Sequence, residues 1–361
     1  MLYYERVKDM KILFTGGGSA GHVTLNIQLI NEFLPEGHEC LYVGSKRGIE
    51  RSMIEDIPNV KYIPITTGKL RRYFSIQNIF DLLKVPFGIL QAIYYIGREK
   101  PDFIFSKGGY VSVPVVLGAY INSIPIILHE SDRSIGLANK ISGHFASKIF
   151  STFEIGKNNR FIKVGGIAKC IEEVSTPFPA KFNSNKPIIL FLGGSLGAKS
   201  INDFVTSNLD DLLQNFNIIH QTGDGYNPLQ AKEYFTFPFS EKLLPQALNL
   251  ADYVVSRSGS NTIFEILSNQ KPNILIPLSK ESSRGDQVEN AEYFEEKGYS
   301  MVIKEGDLNY QVFKEKIEYL SENEKKIQEL MSNSNETMSV KEFSNLLLVS
   351  AKEEVYGIRK R

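Results

Sequence analysis

The sequence predicts an α/β chain built as two Rossmann-like domains, each a parallel sheet covered by helices. Three observations carry this prediction. The 361 residues are enough for two domains of ordinary size, each with its own core. Short apolar, β-prone runs alternate with longer helical stretches in both halves, the pattern of a parallel sheet buried on both faces. A glycine-rich pattern also occurs twice, as KILFTGGGSAGH over Lys11–His22 and as PIILFLGGSLGAKS over Pro187–Ser200. Each copy is a strand that breaks into glycines and then a helix-compatible segment. That arrangement sets backbone N–H groups and a helix N-terminus around an anion, commonly a phosphate. Only the first copy ends in a histidine, His22.

In the first half, strands are expected at Ile12–Thr15, Glu39–Val43, Tyr62–Ile65, Phe103–Ser106, Ile124–His129 and Lys148–Ser151. Helices are expected between them at Thr24–Phe33, Ile49–Ile54, Gln77–Gly97, Val113–Ile121 and Gly136–Phe145. The second half repeats the arrangement. Its strands are expected at Ile188–Leu192, Ile218–Gln221, Tyr234–Phe237, Tyr253–Ser256, Asn273–Pro277 and Ser300–Ile303. Its helices are expected at Ser200–Gln214, Leu243–Ala251, Thr262–Ser268 and Gln287–Lys297. The prolines and the polar KFNSNKP stretch within Gly165–Pro187 mark the join. The expected division is therefore 1–165, 166–339 and a final helix in 340–361. That helix either braces the first domain or forms a local hairpin on the second.

Composition narrows the function. Lys plus Arg equals Asp plus Glu at 41 each, so no global field draws in nucleic acid. The two cysteines, Cys40 and Cys170, imply neither a disulfide scaffold nor a multi-cysteine metal site. The opening MLYYERVKDMK lacks the apolar run and cleavage signal of a secretory leader. No run reaches the roughly 18 to 20 apolar residues of a membrane span. A reduced, cytoplasmic chain is the expectation.

The first glycine loop, with Gly16, Gly17, Gly18 and Gly21, is not a P-loop, because the Lys-Ser/Thr ending is absent. It is a poor dinucleotide fingerprint too: Gly44, Ser45 and Lys46 follow the second strand where an acidic residue would hold a ribose. A histidine at the exit of such a loop can stay uncharged near neutral pH and take a proton from a substrate hydroxyl. A histidine that only caps the turn would satisfy the same local pattern.

In the second loop, the Ser195 hydroxyl and adjacent amides suit a diphosphate. In RSGSNTIFE, Glu265 falls one turn into a helix, where a carboxylate can accept both hydroxyls of a ribose or simply favour the helix N-terminus. Gln287 and Asn290 lie three apart on one helix face, and amides suit sugars because each donates and accepts. In the first half, Gly108, Gly109 and Tyr110 follow a strand end and form a second anion- or sugar-binding turn. The His129–Glu130 pair lacks zincin spacing and is expected to orient loops and substrate across the cleft, with Asn139 doing likewise. Between the third strand and Phe103, a stretch begins with Lys69, Arg71 and Arg72. It continues through Phe74, Ile79, Leu83 and Phe87. It is either a partly buried core helix or a surface that enters a membrane interface, with nearby cations on anionic headgroups.

Six motifs in order, GGGSAGHVT, FSKGGYVSVP, HESDRSIGLANK, LGGSLGAKSIN, RSGSNTIFE and SSRGDQVENA, resemble a family of peptidoglycan-synthesis enzymes. These enzymes add N-acetylglucosamine to lipid I, the undecaprenyl-linked muramyl-pentapeptide. The likeness runs from about residue 11 to 305. It implies a GT-B fold, two Rossmann-like domains with parallel sheets facing across a cleft. It also implies inverting, metal-independent transfer from UDP-GlcNAc, with no cofactor, yielding lipid II. By the same resemblance His22 is the general base, and Gly17, Gly18, Gly21, Gly108, Gly109 and Tyr110 lie on the acceptor side. Ser195 meets the donor phosphates, Glu265 the ribose, and Gln287 the sugar, with Asn290 and Lys169 as further donor-side residues. The protein would sit peripherally on the cytoplasmic side of the cell membrane. Ala20 and Leu25 depart from a glycine and a proline common in the family, and Lys169 stands where an arginine is usual. Three other readings fit the same architecture: a GT-B transferase with another acceptor, a UDP-GlcNAc 2-epimerase, and a non-catalytic nucleotide-sugar-binding protein.

Overall fold

A computed structural model gives the architecture. It describes residues 9–68, 76–156, 159–168, 178–194, 197–223, 225–226, 229, 231–240, 242–279 and 285–357, with side chains of 76–82 excepted. The chain divides into two compact units, one of residues 1–167 with 338–361 and the other of residues 168–337.

Unit 1 opens with β1 (Lys11–Thr15), α1 (Thr24–Phe33), β2 (Glu39–Ser45), α2 (Ile49–Ile54), β3 (Val60–Ile65) and α3 (Ile76–Glu99). It continues with β4 (Phe103–Ser106), α4 (Ser112–Ile121), β5 (Ile126–Glu130), α5 (Leu137–Ser142), β6 (Lys148–Ser151), β7 (Phe161–Lys163) and β8 (Gly166–Ala168). Strands β1 to β7 form one parallel sheet in the order β3-β2-β1-β4-β5-β6-β7. Unit 2 contains β9 (Ile188–Leu192), α6 (Lys199–Ser207), α7 (Leu209–Asn215), β10 (Asn217–Gln221), β11 (Tyr234–Phe237) and α8 (Leu243–Leu250). It continues with β12 (Tyr253–Ser256), α9 (Ser260–Ser268), β13 (Asn273–Leu275), α10 (Asp286–Glu296), β14 (Met301–Val302) and α11 (Tyr310–Ser332). Its parallel sheet runs β11-β10-β9-β12-β13-β14, the same winding. The chain ends in β15 (Thr337–Ser339), paired with β8, and α12 (Val340–Tyr356).

Both sheets reverse strand order at one place, between β1 and β4 in unit 1 and between β9 and β12 in unit 2. Ligands of open α/β sheets bind outside the carboxyl ends of the strands at that switch point. The two glycine loops, which follow β1 and β9, are each at one.

Alternation along the strands builds the core of unit 1. Ile12 and Phe14 face one side, with Phe33, Phe103, Phe105 and Phe150. Leu13 faces the other, with Leu41, Val43, Ile104 and Leu128. α12 covers the first side against α1, and its Phe343 ring lies 5.2 Å from that of Phe150 and 6.0 Å from that of Phe105. A capping box starts α12: Glu342 N–H donates to Ser339 Oγ, and Ser339 N–H donates to Glu342 Oε2.

Several elements differ from the sequence expectation for local reasons. The helix expected over Ser200–Gln214 is two helices. Asn208 leaves helical geometry, and its side chain donates to the Phe204 carbonyl, so it ends α6 just where Asp210 and Asp211 start α7. Gly143 ends α5 early. Pro125 supplies no N–H, and β5 begins one residue after it. β7, three residues long, had no alternating pattern to reveal it.

Candidate active site

In unit 1, β1 runs into Gly16–Ser19 and a 3-10 turn over Ala20–His22 before α1 begins. The turn is held from several sides. A β-carbon at Gly16 would lie 2.4 Å from the His22 carbonyl, and one at Gly17 would lie 2.6 Å from the Glu50 carboxyl carbon. Gly18 has φ +89° and packs under the Tyr110 ring, where a β-carbon would fall 2.7 Å from Cε1. Glu50, fully buried on α2, accepts from Gly18 N–H at 3.3 Å and from Ser45 N–H at 3.0 Å. Tyr42 donates to the Gly16 carbonyl at 2.9 Å.

The second turn follows β4. Lys107 N–H donates to the Thr15 carbonyl, and the Lys107 carbonyl lies 3.1 Å from His22 Nδ1. A carbonyl only accepts, so Nδ1 carries the proton and the lone pair of the neutral ring is on Nε2. Gly108 and Gly109 follow at φ +88° and +83°. The structure thus brings His22, Gly17, Gly18, Gly108, Gly109 and Tyr110 together at the switch point of unit 1; Gly21 lies exposed beside His22 in the 3-10 turn.

Beneath these turns lies a buried polar cluster. Lys107 Nζ lies 2.7 Å from His129 Nδ1 and donates to Ser131 Oγ. Burial lowers the Lys107 ammonium to about 8, against the opposing pull of Glu130 and Asp132. Burial, reinforced by Lys107, holds the His129 ring well below the ordinary histidine range, so it is neutral. Glu130 accepts from Asp132 N–H, Gly136 N–H and Asn139 Nδ2. His129, Glu130 and Asn139 therefore hold the loops that follow β4 and β5.

In unit 2, β9 is followed by Gly193 and Gly194, and Gly197 precedes α6. Gly194 and Gly197 both have positive φ, +79° and +75°. A β-carbon at Gly197 would lie 2.2 Å from the Thr222 carbonyl, whereas one at Gly194 would meet nothing within 4 Å among the described residues. The β12 turn is pinned to α10: Ser258 Oγ donates to the Gln287 carbonyl, and buried Asn290 Nδ2 donates to the Ser258 carbonyl. Gln287 Oε1 accepts from Leu278 N–H at 3.0 Å, which fixes the orientation of its amide. Glu265 lies in the second turn of α9, and burial pushes its carboxyl up to about 7. Arg257 donates to Ser200 Oγ, Glu305 Oε1 and the Ile276 carbonyl, bracing the same end of the sheet.

Ser195, Lys169, Arg71, Arg72 and Phe74 lie outside the described residues, as does the side chain of Ile79. From Leu83 onward α3 is described. Leu83, Phe87, Leu90 and Tyr94 are 60%, 65%, 64% and 62% exposed, and their spacing of four, three and four puts them on one stripe. No helix among the described residues is long and apolar enough to cross a membrane.

Glu50 was missed by reasoning from the sequence. Its signal is GSKRGIE, in which Gly44 and Gly48 precede an acidic residue. A β-carbon at Gly48 would fall 2.2 Å from a Glu50 oxygen, and one at Gly44 would fall 3.0 Å from its Cγ.

Comparison with known proteins decides the family. Residues 12–151 match the glycosyltransferase family 28 N-terminal domain, and residues 188–347 match its C-terminal domain. A protein of Clostridium tetani named UDP-N-acetylglucosamine--N-acetylmuramyl-(pentapeptide) pyrophosphoryl-undecaprenol N-acetylglucosamine transferase is 45% identical over 90% of this chain and 94% of its own. A Streptococcus thermophilus protein of the same name is 43% identical over 95% and 98%. The chain belongs to the MurG family of glycosyltransferases. The crystal structure of Acinetobacter baumannii MurG shares the fold, with TM-score 0.71, 21% identity, and coverage of 94% of this chain and 99% of that one. The calicheamicin glycosyltransferase CalG4 aligns with TM-score 0.72 at 12% identity over 98% and 100% of the two chains. These likenesses identify the fold as GT-B, as the MurG motifs implied. A Listeria monocytogenes protein described as a UDP-N-acetylglucosamine 2-epimerase also shares it, with TM-score 0.64 and 12% identity over 97% and 98%. Fold alone therefore does not separate transferase from epimerase, whereas the close sequence relatives fall on the MurG side.

Proposed function

We propose that this protein transfers N-acetylglucosamine from UDP-GlcNAc to the MurNAc 4-hydroxyl of lipid I, giving lipid II and UDP. Membership of the MurG family supports the reaction class and both substrates. The observation that supports a mechanism is the His22 Nδ1 contact with the Lys107 carbonyl, which puts the basic lone pair on Nε2. Nε2 removes the 4-hydroxyl proton as that oxygen attacks the anomeric carbon of the donor. The new C–O bond forms on one face as the bond to UDP breaks on the other, so an α-linked donor gives a β-linked product. The turns after β1 and β4 offer the Gly17 and Gly109 amides to the acceptor diphosphate, those of Gly18 and Gly108 being held by Glu50 and Ser106.

On the donor side, the ionised Glu265 carboxylate accepts the two ribose hydroxyls. Gln287 Nε2 donates to the sugar, and Asn290 acts from beneath by holding the Ser258 turn. The glycine amides after β9, the Ser195 hydroxyl and the N-terminus of α6 take up the charge that develops on departing UDP. Lys169 adds positive charge there. On this reading no metal is required.

The exposed Leu83–Tyr94 stripe, with the basic Lys69, Arg71 and Arg72 segment before it, supports peripheral docking on the cytoplasmic face of the membrane. A lipid-linked acceptor needs such access.

An assay of radiolabelled UDP-GlcNAc with a lipid I analogue in EDTA tests the whole reading. The expected result is a labelled β-linked product with stoichiometric UDP. Formation of UDP-ManNAc without acceptor would instead favour the epimerase. Loss of transfer on chelation would overturn the metal-free mechanism.

A further inference from the structure

We infer that Lys107 is a positioning residue for His22, with its buried ammonium, anchored on His129 and Ser131, fixing the peptide whose carbonyl sets the imidazole tautomer. This rests on the reading of His22 as the base. Three observations on the two turns carry it.

The Lys107 carbonyl belongs to the peptide that joins Lys107 to Gly108. Gly108 and Gly109 both have positive φ, in a region that glycine shares with many other accessible conformations, so the backbone after Lys107 has little preference of its own. Something else must fix the direction of that carbonyl. Gly108 N–H donates to Ser106 Oγ at 3.2 Å, and Lys107 N–H is held by the Thr15 carbonyl. The side chain supplies the remaining hold, because its far end is buried on His129 Nδ1 and Ser131 Oγ.

An ammonium is an expensive choice for a purely structural tether. Taking it out of water carries a large desolvation penalty unless partners compensate, and an apolar side chain of similar volume would avoid that penalty. Its partners here are acceptors on the element next door: neutral His129 ends β5 together with Glu130, and Ser131 follows directly. Lys107 thus connects the end of β5 to the turn that carries His22. His129 is itself wedged by Phe343 of α12, with ring centroids 5.6 Å apart. The chain of contacts Phe343, His129, Lys107, His22 lies within unit 1.

The test combines kinetics with nitrogen-15 spectra of histidine-labelled protein, in which imidazole shifts report the tautomer directly. In the wild type, His22 is expected as the Nδ1–H form. Lys107→Met is expected to mix the tautomers of His22 and to lower kcat about 10- to 100-fold, with the Kd for UDP-GlcNAc unchanged within about twofold. His129→Gln keeps an acceptor for Nζ and is expected to retain most of kcat and the Nδ1–H form, whereas His129→Leu is expected to behave like Lys107→Met. A folded Lys107→Met with the wild-type His22 tautomer and kcat would overturn the inference. Should that variant fail to fold, equal kcat and equal His22 spectra in the two His129 variants would overturn it. Failure of the base reading looks different: His22→Ala would keep turnover, whatever the spectra of the Lys107 variants show.

Discussion

The Cα of Gly109 abuts the carbonyl oxygen of Gly17, so closely that a β-carbon on Gly109 would come within 2.1 Å of that oxygen. The two turns at the switch point of unit 1 are therefore a single packed object, and their spacing depends on a missing methyl group. Gly109→Ala combines this clash with a φ of +83°, and we expect it to destabilise unit 1 by about 2–4 kcal/mol. Gly259→Ala is the control, since its φ is −65° and a β-carbon there meets nothing within 4 Å among the described residues. Gly259 is the N-cap of α9, where alanine is less favoured than glycine, so the change should cost no more than about 1 kcal/mol. Thermal unfolding of the two variants checks the contrast, and equal transitions would refute it.

His22→Ala removes the proposed base but leaves unit 2 intact. Transfer to a lipid I analogue should fall about 10²- to 10⁴-fold, the usual contribution of a general base, while calorimetric affinity for UDP-GlcNAc stays within about twofold. Near-normal turnover would assign the proton to another group.

Glu265 should make donor binding depend on pH. Its carboxyl titrates near 7 because of burial, so below that value it is largely neutral and presents fewer acceptors to a ribose. UDP-GlcNAc has no ionisation of its own in this range. Its affinity is expected to rise as pH increases to about 7 and then level off, with protons released on binding below that point. Glu265→Gln should bind more weakly at pH 8 and show a flat profile between pH 5.5 and 8. A wild-type affinity that does not vary over this range would exclude Glu265 from the ribose.

Replacing both Leu83 and Phe87 with serine removes two exposed apolar groups from one stripe of α3. At about 1 kcal/mol for each group partly inserted into a bilayer interface, the double variant should bind phosphatidylglycerol vesicles roughly 10- to 30-fold more weakly. Its thermal unfolding should match the wild type, because neither side chain contributes much to the core. Unchanged vesicle binding would move the docking surface elsewhere.

Much of this was legible in the sequence, for reasons that can be traced to single residues. Glycine punctuates strand ends, so both phosphate-binding-type loops were visible, and His22 stood out as the only histidine beside one. Short apolar, β-prone runs revealed most strands, because parallel strands buried on both faces are nearly continuous in apolar residues. Roles set by partners far along the chain were not legible. Glu50 acts on Gly18 across 32 positions, and Lys107 acts on His129 across 22. Asn290 has the composition of a sugar ligand, yet its amide is buried against the Ser258 carbonyl, a distinction that only the tertiary structure draws. Asn208 split a helix by a local side-chain bond that helical periodicity does not register.

The placement of α12 has a consequence for biosynthesis. Phe343, Leu347 and Ala351 complete the apolar layer of unit 1, but they leave the ribosome only after all of residues 168–337. At about 5–20 residues per second, the first 167 residues wait roughly 10–30 s with the Phe105 and Phe150 faces uncovered. During that interval the nascent first half is a client for chaperones, while the second half, continuous in sequence, can fold as soon as it emerges.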